Sequence, residues 1–144
     1  MPLTDQNITD IRASWTALSM DPDSLTQTFY AELFRLAPEV KPLFGHSDMR
    51  SQRRKLAAAI GTVVHHADNL APVVPVLHEM GSRHVRYGAT EAHYDVVGQA
   101  LIHAIGTVLG ASFTDAVRDA WVLAYTAVAS TMLAGAAATL RKSA

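Results

Sequence analysis

Cysteine is absent from the 144 residues of this chain. Disulfide bonds, cysteine nucleophiles and cysteine-ligated metal sites are therefore excluded. A reducing intracellular compartment suits such a chain, and we expect the protein to be cytoplasmic. A strong charge of one sign is also absent, because 12 basic and 13 acidic side chains leave a formal net charge of −1. This balance gives no general attraction to nucleic acid or to an anionic membrane.

Signals for secretion and for β-strands are missing as well. The first 15 residues contain no basic region followed by an apolar one, so we expect no signal peptide. Residues 121–140 carry no charge and are long enough to span a membrane. Most of these positions are Ala, Thr, Ser or Gly, and we interpret them as a buried helix and expect no membrane span. No run alternates apolar and polar residues as a half-buried strand would.

Apolar residues instead recur at spacings of three and four along most of the chain, which predicts helices. The chain is predicted to be all-α, with about seven helices in one domain over residues 1–144 and a frayed tail from about residue 137. Unequal helix lengths disfavour a regular four-helix bundle but leave several other all-α folds open. Helix boundaries are expected from caps and breakers at Thr4, Pro38, Pro42, Gly88, Thr90, Gly110 and Thr114.

The stretch VLHEMGSRHVRYG, residues 76–88, places a histidine on an apolar helix face. Leu77, Met80 and His84 share this face, so Leu77 and Met80 offer apolar contacts to a macrocycle whose metal is bound at His84. The Met80 carbonyl, one turn back, can accept the Nδ1 proton and leave Nε2 free to bind iron. Arg83 and Arg86 flank the histidine and can reach the carboxylates of such a ligand. A histidine held entirely within the protein core is the competing interpretation.

The remaining histidines show no zinc-binding spacing. His65 and His66 are adjacent and project about 100° apart on a helix, which is poor geometry for sharing one metal. His78 and His93 lie near glutamates and are interpreted as solvated. His46 lies in a polar loop, residues 45–51.

Two polar residues on apolar helix faces are candidates for contacting a small ligand. Tyr30 is next to Phe29, on a helix that also buries Leu33, and its hydroxyl needs a hydrogen-bond partner. It either reaches water or donates into an apolar pocket. Gln52 lies one turn before Leu56 and either begins a solvated helix or points to the same pocket. The adjacent basic residues 53–55 are interpreted by default as a solvated surface.

The ordered set of motifs resembles the single-domain bacterial haemoglobins and the globin module of flavohaemoglobins. The segments that carry this resemblance are TFYAELFRLAPEVKPLF, SQRRKL, DNL, SRHVRYGA, AHYDVVGQALIHAIGTVLG and DAWVLAYTAVA. They occur in the order of that family and cover residues 4 to about 135. The resemblance implies a globin fold, a three-over-three helical sandwich, and haem b as the cofactor.

The resemblance also implies roles for individual residues. His84 corresponds to the proximal iron ligand, and Tyr30 and Gln52 correspond to distal hydrogen-bond donors. Leu56 corresponds to the aliphatic residue over the gas ligand. The other residues expected around the haem are Phe29, Leu33, Phe44, Ile60, Leu77, Met80, Tyr94, Val97, Trp121 and Tyr125, with Lys55 and Arg83 as propionate contacts.

The function implied by the resemblance is reversible binding of O2, NO or CO for oxygen storage or delivery. Two alternatives stay open: nitric oxide dioxygenation, in which NO and O2 give nitrate, and a haem-independent or gas-sensing regulatory role. The 144 residues are too few to include flavin- and nicotinamide-binding domains, so we expect any reductase to be a separate protein. The protein is expected to be a monomer or a homodimer.

Two departures from the family pattern bear on this choice. Flavohaemoglobins place a glutamate on the last helix where this chain has Ala136. An anionic partner would raise the basicity of His84, so its absence disfavours redox catalysis and favours gas binding. The loop at residues 45–51 is about two residues short, which would tighten the distal side, where His46 or Gln52 could enter.

Overall fold

The structure is a computed structural model, which describes residues 3–45 and 47–143, without the side chains of residues 142 and 143. In this part of the chain every regular element is helical, so the all-α prediction is confirmed. The α-helices are α1 (Asp5–Leu18), α2 (Pro22–Leu36), α3 (Met49–His65), α4 (Val74–Arg86), α5 (Glu91–Leu109) and α6 (Asp115–Ser143). Shorter 3-10 segments cover Pro38–Phe44, Ala71–Val73 and Gly110–Ser112. With the seven-residue segment Pro38–Phe44, the helices number about seven, as predicted.

Local capping explains why several helices begin where they do. The Thr4 hydroxyl accepts from the Asn7 backbone N–H, and Asn7 Oδ1 accepts from the Thr4 N–H, each at 3.0 Å. At the start of α5, the Thr90 N–H donates to Nδ1 of His93 at 3.0 Å. The Thr114 hydroxyl accepts from a backbone N–H of α6. Each bond satisfies a polar group that the helix itself leaves unpaired.

Two helix boundaries differ from the sequence-based ones. Helix α3 begins at Met49, inside the predicted loop 45–51, because Asp48 accepts from the Arg50 N–H at 3.1 Å and caps it. Helix α6 runs to Ser143, beyond residue 137, where the frayed tail was expected. His46 lies outside the described residues.

Helices α4 and α6 form the most extensive helix pair, α2 packs on α5, and α1 packs on α6. Ile11, Leu18, Leu25 and Ile105 have almost no exposed surface and lie in the main core. A smaller core between α4, α5 and α6 contains Leu77, Tyr94 and Met132, among others. Residues of both cores border the candidate site.

Two segments, Glu91–Ser112 and Asp115–Arg141, are long and apolar enough to cross a membrane by length and composition alone. Core helices of soluble proteins meet the same criterion. Both segments pack on other helices, and Ala100, Ala104 and Ile105 of α5 are completely buried. The expectation that the chain does not span a membrane stays a prediction.

Candidate ligand-binding cavity

Helix α4, which carries His84, is held against α6 by unusually close backbone contact. A Cβ atom added at Gly81 would lie 1.9 Å from the Met132 carbonyl oxygen. One added at Gly135 would lie 2.2 Å from the His78 carbonyl oxygen. Each helix therefore uses a glycine where the other helix's backbone passes. Because the pair approaches so closely, the position of α4 and its histidine is set by α6.

The His84 ring is oriented by a local hydrogen bond. Its Nδ1 lies 2.5 Å from the Met80 carbonyl oxygen, as the spacing of four residues predicts. A carbonyl oxygen can only accept, so Nδ1 carries the proton and Nε2 of the neutral ring keeps a free lone pair. The Tyr87 and Tyr94 rings lie 5.8 Å and 6.5 Å from the imidazole, between centroids. The hydrogen bond therefore fixes the orientation of the imidazole.

His84 lies on the wall of a cavity of about 430 Å³, bounded by α2 to α6. Its walls are almost entirely alkyl and aromatic. Most of the residues expected around the cofactor line this cavity: Phe29, Leu56, Ile60, Leu77, Met80, His84, Tyr94, Val97, Trp121 and Tyr125. The apolar helix faces predicted from the sequence therefore line the same cavity.

Further residues complete the cavity walls and were not predicted as site residues. Some continue predicted helical faces, as Val63 does on α3 and Met132 does on α6. Others are small side chains whose role depends on the partner helix. The additional residues are Ala58, Ala59, Thr62, Val63, Val73, Val76, Ala89, His93, Leu101, Ala124, Val128, Ala129 and Met132. His93, which was interpreted as solvated, is half-buried at the cavity wall because the α5 cap holds it there.

Tyr30 does not line this cavity, although its neighbour Phe29 does. The Tyr30 ring packs against Phe29, Phe34 and Phe44, with centroid separations of 4.9, 5.9 and 5.7 Å. Tyr30 is 9% exposed, and its hydroxyl makes no hydrogen bond to a described residue. Burial raises the pKa of Tyr30 to about 12, so the hydroxyl stays protonated and able to donate.

The other predicted site residues that do not line the main cavity fall in three environments. Phe44 lines a second cavity of about 420 Å³, with Phe34 and Met49 among its walls. Leu33 is 4% exposed and packs into the main core. Gln52 is half-buried in the first turn of α3, and Lys55 and Arg83 are exposed.

One member of the basic cluster at residues 53–55 has a structural contact. Arg53 Nε lies 2.9 Å from an Asp23 carboxylate oxygen and joins α3 to α2. The hydrogen bond from Arg53 lowers the pKa of Asp23 below its usual value. Arg53 is therefore committed to an ion pair between helices.

Two tyrosines on the cavity wall differ in their hydrogen bonding. The Tyr125 hydroxyl donates to the Tyr94 carbonyl oxygen at 2.6 Å and so joins α6 to α5. The Tyr94 hydroxyl is buried without a hydrogen-bond partner among the described residues. Burial raises the pKa of both tyrosines, so both remain neutral at physiological pH. An unpaired buried hydroxyl costs about 1–3 kcal/mol, because it has given up its hydrogen bonds to water.

Comparison with known proteins places these features in a family. The family model described as Globin matches residues 27–132. The flavohemoprotein of Bordetella parapertussis is 33% identical over 125 residues, which cover 85% of this chain and 31% of that protein. Flavohemoprotein A of Dictyostelium discoideum is 33% identical over 145 residues, which cover 96% of this chain and 35% of that protein. The chain spans about a third of the length of these curated relatives.

Two solved structures superpose on nearly the whole chain. A bacterial globin from Campylobacter jejuni has a TM-score of 0.86 at 29% identity and covers 96% of this chain and 99% of its own. An engineered carbene transferase from Rhodothermus marinus, whose name includes the words nitric oxide dioxygenase, has a TM-score of 0.87 at 29% identity. The superposition covers 96% of each chain.

Proposed function

The chain belongs to the globin family and has the globin fold, and from this premise we propose that it binds haem b at His84 and takes up O2 reversibly. Haem b, when bound, supplies a ferrous iron at which O2, NO and CO bind reversibly. The observation that carries the proposal is the His84 ring, whose Nδ1 is hydrogen-bonded to the Met80 carbonyl oxygen, at the wall of an apolar cavity. Oxygen storage or delivery is the role proposed for the protein.

The residues that line the cavity fit a large, mostly apolar cofactor that carries a metal. A volume of about 430 Å³ lies within the range of roughly 300–1,000 Å³ found for ligand pockets. Neutral imidazole is a common metal ligand, and the Met80 carbonyl fixes the ring in the ligating tautomer. Alkyl and aromatic walls of this kind would limit the access of water to a bound ferrous haem and so would slow its oxidation.

We propose Tyr30 as the main hydrogen-bond donor to a gas ligand. Three facts support this role: the hydroxyl has no partner among the described residues, burial keeps it protonated, and its ring contacts Phe29 on the cavity wall. Turning the phenol toward the cavity would bring the donor to the ligand side. Gln52 is proposed as a second donor, one turn from Leu56, which lines the cavity.

Changing Tyr30 to phenylalanine is expected to speed O2 dissociation roughly ten- to hundred-fold, because a hydrogen bond to a charged acceptor contributes about 1.5–3 kcal/mol. The rate is measured by mixing the oxygenated protein with an O2 scavenger. Tyr87→Phe is the matched control, since Tyr87 is exposed and its hydroxyl is not proposed to contact the gas. An O2 dissociation rate in Tyr30→Phe equal to that of wild type would remove Tyr30 from the mechanism.

Nitric oxide dioxygenation is the second candidate function. It is favoured by the names of the relatives, a flavohemoprotein and a protein named as a nitric oxide dioxygenase. It would require a reductase to return the iron to the ferrous state, and this partner is also proposed. The resemblance to flavohaemoglobins puts Ala136 at the position of the family glutamate, and Ala136 is a buried residue whose side chain cannot accept a hydrogen bond. We therefore place gas binding before dioxygenation.

Absorption spectra of the purified protein test the proposed function. We expect a haem Soret band that shifts between ferric, ferrous and O2-exposed samples. A protein that shows no such band after haem addition would favour the haem-independent regulatory role. Nitrate formed over many turnovers, with an external electron donor supplied, would favour nitric oxide dioxygenation over gas binding as the function.

A further inference from the structure

The cavity wall contains few polar side-chain atoms, and several of them already form hydrogen bonds within the protein. Trp121 Nε1 donates to the Ser14 hydroxyl at 2.8 Å, and the Tyr125 hydroxyl donates to a backbone carbonyl. The Thr62 hydroxyl donates to the carbonyl oxygen four residues earlier, at 3.0 Å. The polar side-chain atoms left without a described partner belong to His84, His93 and Tyr94.

The two histidines of the cavity wall are held in opposite tautomers. His84 Nδ1 faces a carbonyl oxygen, which accepts, so Nε2 of that ring is a lone-pair donor suited to a metal. His93 Nδ1 faces the Thr90 backbone N–H, which donates, so Nδ1 of His93 must accept. The neutral His93 ring therefore carries its proton on Nε2. One imidazole offers an electron pair, and the other offers an N–H.

His93 lies where the cavity approaches solvent. It is in the first turn of α5, half-buried, while Thr90 and Glu91 beside it are exposed. Ala89, also on the cavity wall, is half-buried at the same end. An N–H at such an edge suits an anionic group that keeps contact with water while the rest of the ligand is buried.

We propose that His93 is a cofactor-binding residue, which donates its Nε2 hydrogen to a carboxylate of the haem. The inference rests on the proposed function, because haem brings both the metal for His84 and the carboxylates for His93. It differs from the sequence-based expectation of Lys55 and Arg83. Both of those side chains are exposed and lie off the cavity wall.

Haem release separates this role from a structural one. The full chain is loaded with haem or with haem dimethyl ester, in which both carboxylates are methylated. Release to an excess of a haem-scavenging protein is then followed by absorption. The ester keeps the ring and the iron but lacks the anionic acceptors, so only carboxylate contacts distinguish the two ligands.

His93→Asn is the informative variant because the chain already shows asparagine in the same capping position. In α1, Asn7 Oδ1 accepts from the Thr4 N–H at 3.0 Å, as His93 Nδ1 accepts from the Thr90 N–H. The substitution therefore keeps the α5 cap and removes the longer-reaching N–H. We expect haem release to become about tenfold faster, while ester release changes less than about twofold.

The comparison also identifies the outcomes that oppose the proposal. Equal acceleration of haem and ester release by His93→Asn would show that His93 acts only on the fold, and would overturn the inference alone. A preference for the diacid that disappears in Lys55→Met or Arg83→Met, but survives in His93→Asn, would also overturn it. A wild-type chain that retains neither ligand would overturn the proposed function, and the His93 contact with it.

Discussion

Gly81→Ala is expected to destabilise the folded protein by at least about 2 kcal/mol. Alanine normally favours a helix interior over glycine by about 1 kcal/mol, so propensity alone predicts the opposite sign. Here the new Cβ would lie 1.9 Å from the Met132 carbonyl oxygen and 2.9 Å from the Met132 Cα. These are backbone atoms of α6, which cannot rotate away as a side chain does. The helices must separate, and overpacking of this kind costs about 1–3 kcal/mol or more.

The measurement is urea-induced unfolding, followed by tryptophan fluorescence and by circular dichroism. Gly61→Ala is the matched control, because Gly61 also lies within a helix but its added Cβ would meet Trp15 Cζ2 at an ordinary 3.5 Å. That variant should be as stable as wild type or slightly more stable. If Gly81→Ala unfolds at the same urea concentration as Gly61→Ala, the close contact between α4 and α6 is not as described.

Gly81→Ala should also change the geometry of the ligand site. Gly81 lies three residues before His84 on α4, so a displacement of α4 from α6 moves the imidazole relative to the rest of the cavity wall. Gly135→Ala strains the same crossing from the other side, where the Cβ would lie 2.2 Å from the His78 carbonyl oxygen. Because either change alone opens the crossing, the double variant should lose less stability than the sum of the two single losses.

Features that arise within one helix were predictable from the sequence. The bond from His84 Nδ1 to the Met80 carbonyl depends only on a spacing of four residues. The cap at Thr4 depends on groups three residues apart. The face of α3 containing Leu56 and Ile60 also reaches the cavity as its periodicity indicates. In each case the helix itself supplies the geometry.

Features that depend on how helices cross were not predictable in this way. Phe29 and Tyr30 are adjacent, and neighbouring helical residues project about 100° apart. Of the two, Phe29 lines the cavity and Tyr30 does not. Periodicity did not show that Phe44 would draw Tyr30 into an aromatic cluster. Gly81 and Gly135 are ordinary in sequence, because their importance comes from the backbone of the partner helix. His93 was interpreted from its acidic neighbours, whereas its capping bond decides its position.

The proposed axial ligand makes the second large prediction. His84→Gly is expected to abolish the histidine-ligated haem spectrum and to speed haem release at least about tenfold, since even the loss of an outer partner of a metal ligand costs 10–100-fold in affinity. Adding imidazole should restore the spectrum, because it has the same ring as the lost side chain and the vacated space lies on the wall of a cavity of about 430 Å³.

His78→Gly is the control that isolates ligation from helix stability. His78 is an exposed histidine on α4, so its replacement imposes a similar loss of helix propensity, about 1 kcal/mol or less, without touching the cavity wall. Its spectrum should match that of wild type, and imidazole should leave it unchanged. A His84→Gly protein that keeps the wild-type spectrum without imidazole would show that another side chain holds the iron. Each variant removes one histidine of α4, and only His84 lies on the cavity wall, so a spectral difference between them assigns the ligand.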